Sequence, residues 1–107
     1  MLIYILILLF TPPQHPPPPK VCELKGAVYI ESVPGLADYR VRVIPSEDLA
    51  DLRVFRREDK RHCDSGGQWA YTTNRAEADF SIYLEKTPVP CDILIAYTDF
   101  PGMAGCP

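Results

Sequence analysis

The stretch EDLADLRVF, residues 47–55, decides how the chain is read. It looks like the start of one strand, but its phrase returns as LADYRVRV at 36–43 and as EADFSIYL at 77–84. Aligned on the small residue before Asp, the pairs are Ala37-Asp38, Ala50-Asp51, Cys63-Asp64, Ala78-Asp79 and Cys91-Asp92, with Ala104-Gly105 last. The steps between them are 13, 13, 15, 13 and 13 residues. Val28 precedes Ala37 as Val41 precedes Ala50, so one more unit comes first. Internal repetition at a fixed period is therefore the dominant signal.

Each unit alternates apolar and polar residues, as a strand with one buried face does. The inward set is Tyr39, Val41, Val43; Leu52, Val54; Trp69, Tyr71; Phe80, Ile82, Leu84; and Ile93, Ile95, Tyr97. Arg56 breaks this series and is assigned to a strand end. Four residues before each small-residue-Asp pair stand Ser46, Asp59, Asn74 and Thr87, types that cap a helical turn through their side-chain oxygens. SEDLAD and NRAEAD thus read as single helical turns, and the proline-bearing TPVPCD and FPGMAG as loops. The two extra residues of CDSGGQW read as a glycine loop at the midpoint.

These units resemble a family of short, uncharacterised bacterial proteins built from strand repeats joined by Ser-x-x-x-Ala-Asp connectors. The resemblance spans roughly residues 27–107 and rests on SEDLADLRVF, GGQW and AEADFSIYL. The family's usual Gln before Ala-Asp is replaced here by Leu36, Leu49, His62, Glu77, Pro90 and Met103. The resemblance implies an architecture and no activity.

The expected fold is all-β, with about six to seven 13-residue strand-plus-helical-turn repeats. A parallel solenoid and an antiparallel meander both fit the period. A coil of 13 residues has little perimeter left to enclose Trp69, Phe80 and Tyr97 once a strand is laid down. A parallel stack would also align Asp38, Asp51, Asp64, Asp79 and Asp92 about 4.8 Å apart, with mutual repulsion. An antiparallel meander, closed into a barrel or ring, is the expectation, and the parallel β-solenoid is the alternative.

The rest of the chain bounds the function. Residues 1–10, MLIYILILLF, are an apolar leader, and 11–20 a proline-rich linker before one β-repeat domain at 21–107. Ten helical residues span about 15 Å, half a bilayer core, so the leader cannot cross alone. It has the length of a signal-peptide apolar region without the basic start or the small-x-small cleavage site. A secreted or periplasmic location follows if it is a signal; a mis-set start is the alternative. The linker's prolines favour an extended tether. A net charge of −3 argues against a nucleic-acid partner. Membrane contact is expected only through an uncleaved leader, and a protein partner stays open.

No phosphate loop, dinucleotide fingerprint, nucleophile elbow or zinc-protease motif occurs, and the chain has two His. A non-enzymatic module of structural or binding role is expected, with no cofactor. The alternative is a calcium- or carbohydrate-binding domain. Asp38, Asp51, Asp64, Asp79 and Asp92 are its weak calcium candidates, although local Asx-type bonds explain a recurring Asp as well. Tyr29, Phe55 and Tyr83, outward aromatics in alternate units, are its binding-face candidates. His62, Cys63 and Asp64 do not converge, because adjacent strand residues point to opposite faces. Among the four cysteines, Cys63 and Cys91 are too far apart in the repeat to pair. That leaves Cys22–Cys106 as the expected bridge, if first and last units meet.

Overall fold

The computed structural model describes residues 16–107; the apolar leader and residues 11–15 of the proline linker, His15 among them, lie outside them. Six five-residue strands form a closed barrel: β1 (Gly26–Ile30), β2 (Tyr39–Val43), β3 (Leu52–Arg56), β4 (Gln68–Thr72), β5 (Phe80–Leu84) and β6 (Ile93–Tyr97). Around the barrel the order is β1, β5, β2, β6, β3, β4 and back to β1. Every ladder is parallel.

The antiparallel meander is therefore wrong, and the parallel alternative is nearer the fold. Both objections to parallel strands fail for one reason: successive units, β3 and β4 excepted, are not neighbours in the sheet. Between β1 and β2 lies β5, between β2 and β3 lies β6, and between β5 and β6 lies β2. The strands enclose a shared ring rather than stacked 13-residue coils, so there is room for Trp69 and the other aromatics. Successive Asp residues are likewise separated by an intervening strand, or, between Asp51 and Asp64, by the Gly105 segment.

At the strand starts a seventh position exists. Gly105 exchanges both backbone hydrogen bonds with Arg53 of β3, at 2.8 and 2.9 Å. Farther along, β3 and β4 pair directly, through Phe55 with Gln68 and Arg56 with Trp69. The ring therefore has seven positions at its N-terminal end and six strands at its C-terminal end. The chain advances two positions at each unit, so seven positions take two circuits of the ring.

The core fills the barrel with Val28, Val41, Leu52, Val54, Trp69, Ile82, Ile93 and Ile95, all fully buried, and Tyr39, Tyr71, Phe80, Leu84 and Tyr97 pack against them. The inward alternation was legible with one exception: Val43 is 42% exposed. The connecting turns are 3-10 turns of three residues, too short for α-helix. Asp59 and Asn74 cap theirs by accepting from the amides of Arg61 and Ala76, whereas Ser46 makes no such bond. Of the two proline loops TPVPCD stands, but FPGMAG contains a 3-10 turn at Pro101–Met103, like the one at Pro34–Leu36. Proline opens both turns, where no amide hydrogen is required.

Candidate functional site

The two ends of the barrel differ, and the difference defines the site. At the N-terminal end each unit begins by binding the strand beside it. Asp51 donates its amide to the carbonyl of Leu94, and its carboxylate accepts from the Leu94 amide at 2.8 Å. Asp79 does the same with Ala27, Asp92 with Arg40, and Asp38 with Ser81. In each case the carboxylate replaces a missing main-chain carbonyl in the ladder. Gly105 uses its own carbonyl for the same task on Arg53. Asp64 is the exception: its amide binds Gln68, and the next strand starts three residues later than in the other units, after Ser65, Gly66 and Gly67.

Gly66 and Gly67, the last two of these, are where the first and last segments of the 21–107 domain meet. A Cβ on Gly66 would lie 1.7 Å from the Cys22 carbonyl oxygen. One on Gly67, at φ +86°, would lie 2.4 Å from both the Arg53 oxygen and the Gly105 nitrogen. Gly67 also donates to Leu24 and accepts from Phe55. Only residues without side chains can pass between the first and last segments here. The Cys22–Cys106 disulfide then joins those segments, with Cα atoms 5.2 Å apart. The expected bridge is thus present. Cys63 and Cys91 keep buried thiols; burial raises the pKa of Cys63 above its usual value.

The same N-terminal end is covered from inside the chain. Val21 is buried in the core and Leu24 packs on it. The Trp69 indole donates to the Leu24 carbonyl at 3.0 Å, and its ring meets Phe80 edge-on at 5.3 Å.

At the C-terminal end nothing comparable among the described residues covers the strands. The last inward residues are Ile30, Val43, Arg56, Tyr71, Leu84 and Tyr97, and Ile30 and Val43 are 43% and 42% exposed. The Tyr71 and Tyr97 hydroxyls share a hydrogen bond of 2.7 Å. Burial, reinforced by that bond, raises the Tyr71 pKa far above its ordinary value, so its phenol stays neutral. The Arg56 guanidinium lies 4.2 Å over the Tyr97 ring. Tyr71, whose hydroxyl meets that of the ring beneath Arg56, also lines a cleft of about 310 Å³ between the ends of β1 and β4, with Tyr29, Ile30, Thr72 and Thr73.

The outward aromatics do not form one row. Tyr29 and Tyr83 are on adjacent strands, but Phe55 is on the other side of the barrel. Arg75 covers the Tyr29 ring at 5.2 Å and Arg57 the Phe55 ring at 4.9 Å. Of the three, Tyr29 alone lines the cleft. Among the described residues no three His, Cys, Asp or Glu side chains gather as a group able to hold a metal.

A path through seven positions, taken two at a time, is the winding of a seven-crossing knot on a ring. A family model described as "7(1) septoil knot domain" matches residues 21–107. The chain belongs to the septoil knot family. The two-circuit barrel, with the glycine pair threaded between its first and last segments, is this chain's form of that domain. No curated protein and no solved structure matches it. Sequence reading missed Ile30, Arg56, Thr72 and Thr73 as site residues. The signal was the break at Arg56, a charge in an inward column that is otherwise apolar or aromatic.

Proposed function

We propose that this septoil knot domain is a non-enzymatic binding module that works outside the cytoplasm, with the C-terminal mouth of the barrel as its contact face. The observation that carries this reading is the contrast between a mouth covered by the chain's own Val21 and Leu24 and one that leaves Ile30 and Val43 exposed. Mouths of barrels are common ligand sites because they combine an apolar floor with a few polar groups at the rim. The extracytoplasmic part is supported by the Cys22–Cys106 bridge, since disulfides persist in oxidising compartments. The non-enzymatic part is supported by the Asp carboxylates, which are engaged as main-chain substitutes rather than aimed at one centre. In this reading the Ser46–Asp51 connector is what the chain shares with the uncharacterised bacterial proteins it resembles.

Titration with the neutral dye Nile red tests the contact face. Fluorescence should rise on binding, and Ile30→Asp should abolish the rise while Leu36→Asp, on a distant exposed turn, leaves it intact. The reverse pattern would remove the mouth from consideration. Alkylation of thiols in intact cells tests the location: Cys22 and Cys106 should be protected until reductant is added.

A further inference from the structure

The charges around the open mouth are unevenly matched. Glu31, with a side chain 3% exposed, binds Arg75 at 2.8 Å through a carboxylate oxygen. Glu85, also largely covered, is paired with Arg40. Arg57 reaches Gln68 and the Phe55 ring. Arg56 is different: it is exposed, and among the described residues its side chain meets the Tyr97 ring and no carboxylate. A guanidinium stacked on a ring keeps its in-plane N–H groups available, in the fork that matches a carboxylate.

From this, and resting on the mouth being the contact face, we propose that the site binds a small monocarboxylate carrying an aromatic ring or a short alkyl chain. The apolar part would enter the cleft of Tyr29, Ile30, Tyr71, Thr72 and Thr73, and the carboxylate would meet Arg56 at its edge. The cleft, at about 310 Å³, suits a ligand of this size. Glu31 and Glu85 do not compete for the cation, because each already has an arginine, and Glu58 lines a separate pocket on the far side of Tyr71 and Thr72 from Ile30. The Tyr71 phenol, kept neutral by burial and by its bond to Tyr97, does not repel an anion beside it. The cleft lining holds no carboxylate and Arg56 repels a cation, which disfavours amines of the same shape.

The experiment is a titration of the folded, oxidised protein, followed by backbone amide chemical shifts, with three matched probes: benzoate, benzamide and benzylamine. Benzoate should shift the amides of Ile30, Arg56 and Thr72 and bind at least about tenfold more tightly than benzamide, a ratio one good charge-assisted bond supplies. Benzylamine should not bind there. Arg56→Gln, shown to be folded by an unchanged melting curve, should reduce benzoate to the level of benzamide and leave benzamide unaffected. Equal binding of benzoate and benzamide, or an Arg56→Gln variant that keeps the preference, would overturn the ligand class alone. Failure of all three probes to shift the mouth would overturn both this inference and the contact face beneath it.

Discussion

The two mouths of the barrel are built from the same repeat yet end in opposite states. At the N-terminal mouth a seventh position is filled by Gly105, the Asp carboxylates complete the ladder, and Val21 and Leu24 close the core. At the C-terminal mouth β3 and β4 pair directly, six strands remain, and Ile30 and Val43 face solvent. One unit's sequence cannot distinguish the two ends. What distinguishes them is where the first and last segments of the 21–107 domain are anchored.

The strongest perturbation of that contrast should come from Gly66→Ala. Its Cβ would fall on the Cys22 main chain, which no side-chain movement can relieve. We expect loss of the cooperative melting transition in the oxidised protein, whereas Gly35→Ala, in open space, should melt normally. Reduction of the Cys22–Cys106 bridge should come next. Its 84-residue separation corresponds to about 4–5 kcal/mol in the chain-entropy model, measurable by denaturant titration with and without reductant.

Core truncations probe the contrast at each level of the barrel. Ile82→Ala, at a fully buried site, should cost about 2–5 kcal/mol, and Ile30→Ala, at the open mouth, less than about 1 kcal/mol. Equal losses would mean that the upper mouth is packed after all. The ladder carboxylates should have intermediate weight. Asp51→Ala removes an acceptor from the Leu94 amide and should cost about 1–3 kcal/mol, while Asp51→Asn keeps an oxygen acceptor and should cost less. Calcium should leave the melting temperature of the parent protein unchanged, because binding to the folded state would raise it.

The smallest effect should lie in the acid range. The hydrogen bond from Arg61 lowers the Asp59 pKa from 3.8 to about 2. A depressed carboxylate contributes stability above its unfolded-state value and loses it as pH falls through the folded value. Tm should therefore drop slightly more between pH 4 and 2 in the parent (about those bounds) than in Asp59→Asn. Because this pair is at the surface, the difference should shrink further in salt.

Much of this was legible in the sequence. The period, the inward residues from Tyr39 to Tyr97 and the pairing of Cys22 with Cys106 all follow from spacing and alternation. Strand direction did not, for a physical reason. A repeat states what each unit is, but the neighbour of β1 is β5, and no local feature of residues 26–30 reveals that. The Asp repulsion argument failed because it treated the carboxylates as a bare column. In the fold, those of Asp38, Asp51, Asp79 and Asp92 bind main-chain amides of the adjacent strands. Gly66 and Gly67 were recognisable as a loop, but not as the point where the first and last segments of the domain converge. The mouth left only Arg56 as a trace, since Ile30 and Val43 look like core residues until the missing cover is seen.

Amide hydrogen exchange tests the asymmetry most directly, because hydrogen-bonded amides are available at both ends. At the closed end these are Ala27, Arg53 and Gly67, bound to Asp79, Gly105 and Leu24. At the open end they are Glu31, Glu85 and Thr98, bound to Ile82, Val41 and Val54. The closed-end amides should exchange only through global unfolding, and the open-end amides faster, through local fraying. Uniform protection, or faster exchange at Ala27, Arg53 and Gly67, would contradict a barrel anchored at one mouth and open at the other.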